Sequence, residues 1–200
     1  MSEIINLVKE NPDVHKYIEA VEIVSKKLDK DVSFVFQIWD HEIPETKHEQ
    51  ILILTSDEGH RIPKQVEDNN VLHIFKQYVP MESPHDVNSV LDIDKVSYLP
   101  LCELEGFENE NIPILERQLD WCFLGQFDPF ARKDFAGMIQ VLHKNDYYKH
   151  AIHFYQGWNN GIDRKDYSKC MNNSKIAFVP NGSLSRESFR FYEAMKCGCV

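Results

Sequence analysis

The sequence predicts an α/β fold in two lobes, and three observations carry that reading. Short β-branched and aromatic runs recur through the chain, such as "VSFVFQIW" at 32–39 and "QILILT" at 50–55, the composition of buried strands. From residue 120 onward such runs alternate with stretches of helical spacing, the pattern of parallel sheets with crossover helices. The charge also divides. The whole chain carries −10, yet Trp121 to Val200 holds 11 Lys and Arg against 7 Asp and Glu. The first 120 residues are therefore strongly acidic, and such asymmetry suggests two units with different partners.

The elements follow in chain order. Residues 13–28, containing "VEIVSKKL", have apolar positions at helical spacing, and 32–39 and 50–55 are strands. "NVLHIFKQYVP" gives a third strand at about 70–79, closed by Pro80, and "KVSYLPL" a fourth at 95–101. The stretch 103–118 is acidic, holds Gly106 and Pro113, and reads as a linker. Beyond it "DWCFLGQF" is a strand and turn, "RKDFAGMIQVLHKN" a helix, and "HAIHFYQGW" a strand. "DRKDYSKCMNNS" is a short helix with Asp163 as N-cap. "KIAFVP" is a strand, and "ESFRFYEAMKCG" is a helix stopped by Gly198. The expected domains are 1–118 and 119–200.

Composition narrows the function. A 42% hydrophobic chain of 200 residues can bury a core. Its acidity argues against nucleic acid as partner. No apolar run is long enough for a membrane span, and the charged N-terminus is not a signal peptide. Five cysteines, mostly within apolar runs, read as reduced thiols of a cytoplasmic protein. Cys197 and Cys199 lack a second pair at zinc spacing, so no metal is expected.

Ligands of parallel sheets bind beyond the carboxyl ends of the strands. Three loops of the second half sit there, at 125–135, 156–167 and 180–190. Gly125 lets the first loop turn, and Arg132 opens the helix after it. The third loop, "PNGSLSRESFR", has small residues that leave backbone N–H groups open before a helix N-terminus, which suits phosphate. Arg186 and Arg190 can add charge-assisted bonds or be solvated helix ends. Glu193 lies one turn beyond Arg190. It either accepts ribose hydroxyls or is a structural carboxylate paired with Arg190 or Lys196.

The segment "SKIAFVPNGSLSRESFRFYEAMKCGCV" resembles the C-terminal signature of exostosin-like glycosyltransferases. There a strand ending in Pro and Gly leads to Ser-Phe-Arg-Phe, Glu-Ala, a Gly-Cys and an apolar strand. "WCFLGQFDPFARKDF" is similar to the family's Phe-x-Gly element with a following Arg, and "YSKCMNNSKIAFVP" to its Tyr-to-Ser lead-in. The resemblance covers about 119–200. It implies two Rossmann-like lobes of GT-B type, an acceptor-side lobe at 1–118 and a nucleotide-sugar lobe at 119–200. It also implies that further strands follow Val200, so that the C-terminal lobe is truncated and the chain is a fragment of a longer protein.

The implied function is transfer of a sugar from a nucleotide-sugar donor to a glycan or other hydroxyl acceptor, with inversion. The nucleotide sugar is a substrate, and no cofactor is implied. By resemblance, Gly125, Arg132, Asn181, Gly182, Ser185, Glu187, Arg190 and Glu193 line the donor site. Arg132 faces the diphosphate, Ser185, Glu187 and Arg190 lie near phosphates or sugar, and Glu193 takes the ribose. Inverting transfer needs a base to deprotonate the acceptor hydroxyl. Asp57, Glu58 and His60 follow the strand "ILILT" at a carboxyl edge and are the candidates, although "SDEG" is also an ordinary polar turn. The alternative function is a non-catalytic nucleotide- or glycan-binding module.

Overall fold

The structure is a computed structural model of all 200 residues. It describes residues 2–8, 14–38, 42–55, 60–82, 90–126, 133–155, 161–180 and 188–200, with the side chain of Lys133 left aside. Two compact units divide it, Met1–Leu101 and Cys102–Val200. Both are mixed α/β with parallel sheets.

The first unit is built on strands β1 (Glu3–Asn6), β2 (Ser33–Ile38), β3 (Gln50–Thr55), β4 (Val71–Lys76) and β5 (Val96–Tyr98), with helix α1 (His15–Ser25). They pair in chain order, β1-β2-β3-β4-β5, and every pairing is parallel. β2 and β3 are buried along nearly their whole length. That burial explains why they read as continuous apolar runs rather than alternating ones. Val35, Leu52, Leu54, Val71 and Ile74 form a core on one face. On α1, Tyr17 receives a hydrogen bond from Gln77 and donates one to the Pro100 carbonyl at 2.6 Å. β1 is a strand that the sequence pattern did not disclose.

The second unit holds β6 (Leu119–Gln126), α2 (Lys133–His143), β7 (His150–Tyr155), α3 (Arg164–Asn172), β8 (Ser174–Ala177) and α4 (Phe189–Lys196). Its sheet order is β7-β6-β8, again parallel. The chain thus steps from β6 to one side and then returns to the other. The alternating side chains of β6 serve two cores. Trp121 and Phe123 pack with Ile139 of α2. Cys122 and Leu124 pack with Tyr167 and Met171 of α3 and with Ala194 of α4. Helices therefore cover both faces, and the order reverses at β6.

Residues 103–118, whose composition reads as a linker, pack into this unit. Phe107 is buried edge-on against Tyr167. The Asn172 amide donates to the Glu108 carbonyl and accepts from the Glu110 N–H. Arg117, 5% exposed, donates to the carbonyls of Ile112, Ser174 and Cys197. Side chains remote in sequence satisfy this backbone, so local composition does not reveal its fixed shape.

Two local expectations match the structure. The Asp163 carboxylate accepts from the Lys165 N–H at 2.8 Å and caps α3. After α4, Gly198 takes φ +69°, and its N–H reaches the Met195 carbonyl while that of Cys199 reaches Ala194. This is the Schellman ending. The Cys197 and Cys199 sulfurs turn to separate partners, Ser168 and the Met171 carbonyl, and none of the five cysteines is in a disulfide. Among the described residues no helix is long and apolar enough to cross a membrane, and no cluster of three metal-ligating side chains exists.

Two outcomes test this fold. A Cβ on Gly198 would need the left-handed region and would meet Arg117 Nη2 at 2.9 Å. Gly198→Ala should therefore cost on the order of 1–2 kcal/mol in urea denaturation, and an unchanged midpoint would contradict the ending described. Asp120 is held below its ordinary value by Lys175 Nζ at 2.7 Å and by the Lys149 N–H. A lowered folded value gives stability that is present above the unfolded value of about 4 and is lost as the pH falls through the folded one. Asp120→Asn should flatten the acid limb of the stability profile below about pH 4, and parallel acid limbs would refute the pairing.

Candidate functional site

The site grows from the last turns of β6. In the parallel ladder the Phe178 N–H donates to the Cys122 carbonyl. Two residues on, the same register would bring residue 180 to the Leu124 carbonyl. That residue is Pro180, which has no N–H to give. The Leu124 oxygen is instead taken by two side chains. Tyr167 of α3 donates its hydroxyl at 2.6 Å, and Arg190 of α4 donates Nε at 3.0 Å. A carbonyl has two lone pairs and holds both.

Gly125 makes room for this. A Cβ there would sit 3.2 Å from Arg190 Nε and 3.0 Å from the Phe123 ring. Beyond the anchored Nε, the Arg190 Nη2 donates to the hydroxyl of Tyr155, the last residue of β7. The guanidinium carbon lies 5.4 Å from the Tyr167 ring centre and 6.0 Å from that of Tyr155. Among the described residues Nη1 has no partner, and no carboxylate forms an ion pair with Arg190.

Glu193 lies one turn further along α4 and is 2% exposed. Lys196 pairs with Glu103 at 3.5 Å, so this cation is committed elsewhere. Burial works against the Arg190 charge, but the phenols of Tyr167 and Tyr155 and the Glu193 carboxylate outweigh it, and the guanidinium pKa is raised. Burial pushes the Tyr167 phenol well above its usual range; Arg190 opposes this and Glu193 adds to it. At neutral pH Tyr167 is a neutral donor and Arg190 a firm cation.

Of the expected donor-site residues, Gly125 and Arg190 meet at the carboxyl end of β6, and Glu193, one turn on, lies close enough to act electrostatically on Arg190 and Tyr167. Arg132, Asn181, Gly182, Ser185 and Glu187 lie outside the described residues, as do Asp57 and Glu58. His60 belongs to the first unit. It has φ +55°, is 5% exposed, and lies edge-on to Tyr78. Its Nδ1 is 2.7 Å from the Val79 carbonyl. A carbonyl only accepts, so Nδ1 carries a proton, and in the uncharged form of the ring the lone pair lies on the buried Nε2. Among the described residues that Nε2 has no hydrogen-bond partner. This is the tautomer a general base requires.

Sequence reasoning gave Tyr155 no role and noted Tyr167 and Pro180 only as parts of quoted motifs, without their contacts. Tyr155 and Tyr167 reach their partners across 35 and 43 residues. The available signal was Tyr155 closing a strand at a carboxyl edge, and a proline just past β8.

Gly125→Ala should force Arg190 off the Leu124 carbonyl or displace the Phe123 ring. The expected cost is about 1–3 kcal/mol of stability, measured by chemical denaturation, and a variant as stable as the parent would show that the contact is loose. Compared with family models and with curated proteins, the chain matches none.

Proposed function

We propose that the second unit is the donor-binding half of a glycosyltransferase of the exostosin-like, GT-B type. It takes a nucleotide sugar and transfers the sugar, with inversion, to a glycan or other hydroxyl acceptor. The observation that carries this reading is Arg190 anchored against Gly125 at the carboxyl end of β6, where the strand order reverses, with Glu193 one turn beyond it. In doubly wound sheets that reversal opens a crevice for ligands. The second unit supports a Rossmann-like description through its β7-β6-β8 order and its helices on both faces.

Arg190 suits a diphosphate. Its anchors are a carbonyl and a phenol, both neutral, so its positive charge remains for a ligand. Glu193 accepts the ribose hydroxyls in this reading, and its burial is the environment in which a hydrogen bond to a carboxylate counts most. For the base, His60 is favoured within the set Asp57, Glu58 and His60, because the Val79 carbonyl fixes its tautomer.

Thermal melts with UDP, GDP and ADP test the donor reading. At about a hundred times its dissociation constant the correct diphosphate should add roughly 2.7 kcal/mol. Glu193→Gln should then weaken binding by on the order of 1.5–3 kcal/mol while the unliganded fold survives. Release of nucleoside diphosphate from the matching sugar donor marks an enzyme, and binding without turnover marks the non-catalytic alternative. No shift with any nucleoside diphosphate ends the proposal.

A further inference from the structure

We propose that Tyr155 is a positioning residue: its hydroxyl aims the uncommitted edge of the Arg190 guanidinium at a diphosphate-type anion, setting phosphate affinity without contributing to the rest of the ligand. The inference rests on the donor reading of this site and adds a residue to it.

An arginine side chain has many rotamers, and an arginine that is to meet a bidentate anion must surrender them beforehand. The first anchor, Nε on the Leu124 carbonyl, leaves the guanidinium plane free to pivot about that bond. The second, Nη2 on the Tyr155 hydroxyl, stops the pivot. Tyr167 donates its proton to Leu124, and the Arg190 Nη2 goes to Tyr155 and not to Tyr167. With both anchors made, Nη1, which has no partner among the described residues, and the second Nη2 hydrogen are the donors left for phosphate oxygens.

Tyr155 is itself held. It is the last residue of β7 and stands opposite Gln126 in the ladder. Gly161 approaches so closely that a Cβ there would lie 3.0 Å from Tyr155 Cε1 and 3.1 Å from Cζ. A ring confined in this way keeps its hydroxyl at one place. Toward Arg190 that hydroxyl acts only as acceptor, so its own proton is not used in holding the cation. A merely structural tyrosine would support the whole site and every part of the ligand equally. A positioning one affects the phosphates alone.

The experiment is calorimetric titration of the full chain with UDP, GDP and ADP, each beside its own nucleoside. Tyr155→Phe should raise the dissociation constant of the bound diphosphate about tenfold, as expected for one charged hydrogen bond. It should leave the nucleoside within about twofold. Gly161→Ala keeps the hydroxyl but crowds the ring, and the same selective loss is expected; it serves as the second variant if Tyr155→Phe folds poorly. Equal weakening of diphosphate and nucleoside, or no weakening of either, would overturn the role of Tyr155 while leaving the donor reading in place. A parent chain that binds none of the diphosphates would overturn both.

Discussion

The carbonyl oxygen of Leu124 is the point on which the candidate site depends. It lies near the end of the central strand of its sheet, past the last residue of β8 that can pair with it. Because Pro180 stands at the next ladder position, the oxygen has no backbone donor on that side. A buried carbonyl left unbonded would cost free energy comparable to a lost hydrogen bond. Two helices supply the remedy, α3 through Tyr167 and α4 through Arg190. One missing N–H thus ties both helices of one face to the carboxyl edge of β6. It also determines where a cation stands.

The elements whose signals are local were legible in the sequence. β2, β3 and β6 show as apolar runs, Asp163 as a cap, and Gly198 as a stop, because each depends on residues within a turn or a strand. β1 was not legible. Its four residues are only half-buried, and they earn their strand by pairing with β2 some thirty residues away. The strand orders were equally hidden, since no local pattern distinguishes β1-β2-β3-β4-β5 from β7-β6-β8. The segment 103–118 looked like a linker because the groups that hold it, Asn172 and the Ser174 and Cys197 carbonyls that Arg117 reaches, lie outside its own composition. In the site, Gly125, Arg190 and Glu193 were visible as residue types at strand and helix ends. Tyr155 and Tyr167 were not, because their roles are tertiary contacts.

The two units differ in what their topology offers. The first has a monotonic strand order, and such an order provides no reversal to open a crevice at the sheet edge. Its contribution is chemical and local. The backbone after β4 holds His60 by the Val79 carbonyl, by the Met81 N–H on the His60 carbonyl, and by the Tyr78 ring. Lys76, fully buried, braces the same turn by donating to the carbonyls of Gln77 and Tyr78. The second unit has the reversal and the anchored cation. The reversal and the anchored cation thus belong to the second unit, and the histidine held by the Val79 carbonyl to the first.

The choice of anchors around Arg190 bears on what the site is for. A structural arginine beside a helix is commonly neutralised by a carboxylate, which satisfies its donors and cancels its field together. Here the two functions are separated. The carbonyl of Leu124 and the hydroxyl of Tyr155 take two of its five hydrogens without adding negative charge. Glu193, a turn away, acts on the guanidinium through its field, and among the described residues no partner occupies Nη1. An arginine whose purpose was stability would gain from closing that last pair. One held by neutral groups, with no ion pair among the described residues, keeps the capacity to meet an anion, which is what the proposed donor site asks of it.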